Sequence, residues 1–224
     1  MILNILSRLI LAHIIADFPL QFDFIFKMKT KGFFGIIPHS LIHVILIYLF
    51  FPSFHTYRHF YLYLFLILFL HTLQDNTKFL IWNKTKIDNL FLFLLDQFVH
   101  FLVMFTIFIF PFSRYFNPSD PILLSDTKLN LFFSFLIFIS FGGTILIYYI
   151  EKIYRKGVQI SSFERKFGVI ERIILFSLIS RDLRFLLLAP CFYGLRVLVQ
   201  KENSPSKILS IFLSSVSGII FNLL

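Results

Sequence analysis

Four pairs of imidazole and carboxylate side chains, each spaced by four residues, stand inside the most apolar stretches of this sequence: His13 and Asp17, His39 and His43, His71 and Asp75, and Asp96 and His100. On a helix this spacing places both members of a pair on one face, about one turn apart. Gln21 extends the first stripe and Gln97 adjoins the fourth. Five imidazoles with three carboxylates make a donor set suited to a divalent cation such as zinc, manganese or iron. Ligands carried on facing helices at this spacing are also how bundles build dinuclear centres. The expected metal ligands are His13, Asp17, His39, His43, His71, Asp75 and His100. Asp96 is the expected proton acceptor, while Gln21 and Gln97 would orient ligands or meet substrate. The plainer reading of any one pair is an interhelical hydrogen bond that fixes packing, worth only about 0.6 kcal/mol. Four converging pairs favour a site, because ionisable groups in hydrocarbon are expensive and need a partner or a task.

The elements that carry these pairs must lie in a membrane. Of 224 residues 58% are hydrophobic, 34 are Phe, and only 15% are charged, with a mean hydropathy of +0.83. So little charge cannot clothe a soluble surface. Spans of roughly 20 apolar residues are read at 2–25, 35–54, 59–76, 87–112, 129–150, 167–180, 183–200 and 207–224, the sixth and seventh being short and separated only by Arg181 and Asp182. The expected fold is therefore all-α, a polytopic transmembrane bundle of seven or eight helices forming one integral membrane domain over residues 1–224. Residues 129–224 supply its C-terminal helices. The N-terminus reads as a retained first helix, since Arg8, His13 and Asp17 interrupt what a cleaved signal would keep apolar.

The net charge of +9 does not point to nucleic acid, because the basic residues occupy short gaps between apolar runs. With eight spans, fourteen Lys and Arg residues fall on one side and five on the other. This places the 1–2, 3–4, 5–6 and 7–8 connections in the cytoplasm. Stripes one and three then lie just before cytoplasmic connections, and stripes two and four just after them. All four reach the cytoplasmic leaflet at similar depth, with membrane lipids as partners. The run from Lys152 to Lys166 is expected to be a solvated loop near anionic lipid. Glu171 and Arg172 follow that run and are expected in the same leaflet, Glu171 as a further ligand or base and Arg172 for an anionic head group or for Glu171 itself. Gly142-Gly143 is expected to be a close-packing site, and the single Cys191 carries no redox reading.

The polar residues also repeat. His13 and Asp17 recur as His71 and Asp75, His39 and His43 are echoed by Asp96 and His100, and Lys27 and Lys29 by Lys84 and Lys86, all at offsets of 57 or 58 residues. Residues 1–57 and 58–112 therefore read as two copies of one helix hairpin, related by an axis along the membrane normal.

At these residues the chain resembles a bacterial membrane family known as domain of unknown function 3307. The resemblance rests on Ala12-His13 to Asp17-Phe18 and Gln21, on Pro38-His39-Ser40-Leu41-Ile42-His43, on His71 to Asp75, and on Leu94-Leu95-Asp96-Gln97-Phe98-Val99-His100. It continues at Gly168-Val169-Ile170-Glu171-Arg172 and spans almost the whole chain. It departs near the end, at Ala189-Pro190-Cys191 and Ser214-Ser215. The resemblance implies a bacterial cytoplasmic membrane and no particular activity.

The residues favour a metal-dependent integral membrane enzyme, a hydrolase acting on a lipid or other amphiphile at the cytoplasmic leaflet. The alternatives are a proton or divalent-metal transporter using the same cluster, a structural membrane subunit, and, more weakly, a bis-histidine haem protein.

Overall fold

The computed structural model describes residues 1–115, 125–154, 162–199 and 206–224, and no strand occurs among them. The protein is an all-helical membrane protein. Three described segments are long and apolar enough to cross a bilayer, namely Phe33–Phe50, Leu90–Ile109 and Thr127–Ile153. The chain divides into two compact units, Met1–Ser134 and Phe135–Leu224.

In the first unit, α1 covers Ile2–Asp17, α2 Asp23–Lys29, α3 Phe33–Phe50, α4 Arg58–Thr85 and α5 Leu90–Phe105. The expected first span, 2–25, is thus two helices. Pro19 is the reason: it has no N–H to continue the helical ladder, and Phe18, its own N–H still bonded to the Ile14 carbonyl, closes α1. The third span was expected to stop at residue 76, yet α4 runs to Thr85. Polar residues after Asp75 end the apolar stretch without ending the helix, because neither Gly nor Pro interrupts residues 58–85. Lys86 then terminates it in the left-handed conformation, its N–H bonded to the Trp82 carbonyl at 2.7 Å. At the start of α5 the Asn89 side chain accepts from the Leu92 N–H at 2.9 Å, an N-cap that satisfies one orphan donor.

Two glycines shape the approach of α2 to α3. Gly32, at φ +102°, makes the turn into α3, a conformation that side chains with a Cβ rarely adopt. A Cβ on Gly35 would collide with the Met28 carbonyl, so only glycine lets the two helices lie this close.

α3 packs on α1, α2 and α4, and α5 packs on α4 and α1. One end of this bundle is aromatic. Ile5 and Leu9 of α1, Ile47 of α3, Tyr63 of α4 and Met104 of α5 are buried there around Phe51, Phe54, Phe60 and Phe112. Lipid is as apolar as these rings, so the gain is close packing rather than escape from water. Arg8 is buried at the same end, bonded to Asn4 Oδ1 at 2.8 Å and to the Phe50 carbonyl at 3.1 Å. It thereby satisfies an acceptor at the C-terminus of α3.

α6, Thr127–Ile137, reaches the boundary between the units and leads through a π-helical turn, Phe138–Gly142, into α7, Gly143–Tyr154. In the second unit α8 covers Ser162–Arg181, α9 Ala189–Val199 and α10 Ser206–Leu223, with a 3₁₀ stretch, Leu183–Leu188, between α8 and α9. α10 packs mainly along α8. The π turn answers what was expected to be a glycine packing site at Gly142-Gly143. Arg172 of α8 donates to the Ile139 carbonyl at 2.6 Å, the Ser140 carbonyl at 3.1 Å, Thr144 Oγ1 at 2.5 Å and Ser210 Oγ at 3.1 Å. A π turn breaks the regular backbone ladder, and one guanidinium supplies donors to two carbonyls within it. Residues 155–161, within the expected basic loop, lie outside the described residues.

Candidate metal centre

The opposite end of the first unit is polar. Antiparallel helices decide this: the pairs sit in the C-terminal part of α1, the N-terminal parts of α3 and α5, and the middle of α4. All eight of their side chains are buried.

Asp17 is the hub. Its Oδ1 lies 3.0 Å from His43 Nε2 and 3.3 Å from His39 Nε2, and these two nitrogens are 3.3 Å apart. Its Oδ2 lies 3.3 Å from His13 Nε2 and accepts from Gln97 Nε2 at 3.1 Å. Donors bound tetrahedrally at the usual zinc–ligand distances stand about 3.4 Å from one another. Asp17, His39 and His43 therefore present one face of a coordination tetrahedron. With His71 they form a group whose ligand atoms all lie within 4.8 Å, as do His13, Asp17 and His100, and His71, Asp75 and His100. These are groups able to hold a metal ion.

The imidazoles form a continuous chain of tilted and edge-on rings. Ring centroids are 4.8 Å apart for His39 and His43, 3.9 Å for His43 and His71, 4.2 Å for His71 and His100, and 5.3 Å for His100 and His13. The Nε2 atoms of His13, His71 and His100 are buried without a hydrogen-bond partner among the described residues. Native proteins rarely tolerate three such orphans side by side, and a cation would satisfy them.

Two lysines and a glutamine complete the cluster, although by sequence both lysines fall in the gaps between apolar runs. Lys29 Nζ lies 2.7 Å from Asp75 Oδ2, and Lys78 Nζ lies 2.5 Å from Asp96 Oδ2. Burial alone would lower the Lys29 pKa, but the Asp75, Asp17 and Asp96 carboxylates together more than offset it and hold the ammonium above the ordinary lysine value. Gln74 bonds His100 Nδ1 at 2.9 Å and the Asp96 carbonyl at 2.6 Å. The available signal was Gln74 beside Asp75, and Lys78 one turn past that stripe. By contrast Lys86, the echo of Lys29, caps α4 and reaches Asn83 Oδ1 at 3.1 Å.

Asp75 lies 3.7 Å from both His39 Nε2 and His71 Nε2. Asp96 is placed against Lys78, Gln74 and His100. Gln21 stands in the connection after α1, outside any helix; Pro19 removes it from the stripe it was expected to extend. Glu171 and Arg172 belong to the second unit. There Glu171 pairs with Arg196 at 2.9 Å, both buried, rather than with Arg172, whose hydrogen bonds go to the π turn and Ser210. His55 donates to the Tyr48 carbonyl at 2.8 Å and stacks on its ring at 3.8 Å, apart from the cluster.

A family profile described as Protein of unknown function (DUF3307) matches residues 5–123. The chain belongs to that family. The DUF3307 region contains all four polar pairs with Lys29, Gln74, Lys78 and Gln97, and it ends before Glu171. The likeness read at Gly168 to Arg172 thus falls outside the matched stretch. No curated protein and no solved structure matches the chain. What the DUF3307 region can do is therefore argued from its donor atoms.

Proposed function

We propose that this DUF3307 protein is a metal-dependent membrane enzyme, with Asp17, His39 and His43 binding a zinc, manganese or iron ion and His71 or water at the fourth position. The observation that carries this is the triangle of donors at 3.0, 3.3 and 3.3 Å, whose edges suit one metal ion. His13 and His100 provide ligands for a second ion that shares Asp17 with the first. A bound divalent ion supplies Lewis acidity and an acidified water. Asp75 is the carboxylate nearest the triangle after Asp17. We assign it the proton-accepting role in preference to Asp96, whose partners are Lys78, Gln74 and His100, and to Glu171, which belongs to the second unit. A buried polar centre in a membrane protein supports hydrolysis of a lipid or other amphiphile as its reaction. The charge bias of the connections supports a cytoplasmic-leaflet position in a bacterial cell membrane. The offsets of 57 and 58 residues support descent of the two hairpins from one.

The test is elemental analysis of detergent-purified protein beside a His39→Ala/His43→Ala variant of matching helicity. Near-stoichiometric zinc, manganese or iron in the first and its loss in the second is the expected result. No metal in either after supplementation overturns the reading.

The unbroken chain of imidazoles favours a second reading, transport of protons or divalent metal along it. Flux of protons or of zinc into proteoliposomes, absent from the same variant, would establish transport.

A further inference from the structure

A groove of about 340 Å³ lies between α4 and α5, at the lower end of the size range of small-molecule sites. Leu70, Leu73, Leu95, Val99 and Val103 line its apolar length. The polar lining residues, Gln74, Thr77, Lys78 and Asp96, group together part-way along it, with Ile81 and Leu92 beyond them. Gln74 and Asp96 also contact His100, at 2.9 Å and 3.8 Å, so the groove shares a wall with the metal-binding groups.

The occupant follows from this grouping. Leu73 and Leu95 remain 47% and 44% exposed, and in a membrane-spanning chain such surface meets lipid tails. A lysine ammonium has three donors. Lys78 commits one to Asp96, yet 37% of its side chain stays exposed, so Asp96 fixes the ammonium at the groove without enclosing it. An apolar trough with one anchored cation fits an amphiphile with a hydrocarbon tail and an anionic head.

We propose that this groove seats an acyl chain of an anionic phospholipid, its phosphate bonded to Lys78. The assignment deepens the enzymatic reading by naming its substrate class, and rests on it only for the chemistry that follows binding.

Trp82 is the single tryptophan, one turn beyond Lys78 on α4 and next to Ile81 of the groove wall. Its fluorescence therefore reports occupancy. The full chain would be placed in phosphatidylcholine vesicles containing increasing fractions of phosphatidylglycerol or phosphatidylcholine carrying a nitroxide quencher at the top of the acyl chain, level with the phosphate. Quenching by the anionic lipid is expected at a roughly fivefold lower fraction, the effect of one lysine beside an anionic head group. Lys78→Gln should abolish that preference, and Asp96→Asn, which frees the ammonium, should increase it. Val99→Phe, which fills the trough, should weaken quenching by both lipids. Equal quenching by the two lipids in the wild type, or an anionic preference surviving Lys78→Gln, would overturn the proposal. Metal content measured on the same preparations separates the two readings, since a metal-free protein that keeps the lipid preference loses the first and retains this one.

Discussion

Asp17 Oδ1 and His43 Nε2 meet across the α1–α3 interface at 3.0 Å, and the same oxygen lies 3.3 Å from His39 Nε2. One carboxylate thus faces two imidazoles a helical turn apart, from a helix that shares no local sequence with them. Asp17→Asn keeps the shape and removes the charge. It is expected to lower metal affinity by more than the roughly 10–100-fold that loss of an outer partner costs, with helicity unchanged. Elemental analysis and circular dichroism of the variant check this.

Gln97 donates to the other oxygen of Asp17 at 3.1 Å and so orients the hub without being a ligand in any of the three groups. Gln97→Ala should retain metal stoichiometry at saturation while weakening affinity roughly 10–100-fold. Competition against a chromophoric chelator distinguishes that outcome from the loss expected for Asp17→Asn.

A metal bound only to the folded protein stabilises it by mass action, about 2.7 kcal/mol at a free concentration 100 times Kd. Stripping with a chelator should therefore lower the Tm of the wild type and leave that of His39→Ala/His43→Ala unmoved. Scanning fluorimetry with and without added zinc measures both.

Arg172 donates to the Ile139 and Ser140 carbonyls of the π turn. Arg172→Met leaves both without this donor, at about 1–3 kcal/mol for each buried group that finds no replacement. Breaking the buried Glu171–Arg196 pair by Arg196→Met should cost about 3–5 kcal/mol, because Glu171 is left charged and enclosed. Both variants should have a lower Tm and an unchanged metal content; loss of metal in either would move the centre out of the first unit.

Gly35→Ala places a Cβ against the Met28 carbonyl, so α2 must shift and Lys29 with it. The expected outcome is a lower Tm and loss of the Lys29–Asp75 pair, the latter read as a Tm that no longer responds to Lys29→Met.

Sequence by itself determined the solvent of this protein and the inventory of its site. A chain so apolar can be soluble only in lipid, and ionisable residues at i, i+4 within apolar runs announce themselves because hydrocarbon makes each one costly. Hydropathy could also place those pairs at like depth, since consecutive antiparallel helices return to the same level. It could not separate the end of an apolar run from the end of a helix. α1 therefore stops early, at a proline, and α4 continues through residues that look like a loop.

Only tertiary structure decided which donors share a face. That depends on the rotation of each helix about its axis, which is set by side-chain packing and close approaches such as α2 on Gly35. Packing made Asp17 the hub, brought Lys29 and Lys78 onto Asp75 and Asp96, and sent Arg172 to the π turn. A lysine's long stem lets its ammonium reach back into a bundle from outside an apolar segment, so its sequence position alone does not say which carboxylate it meets.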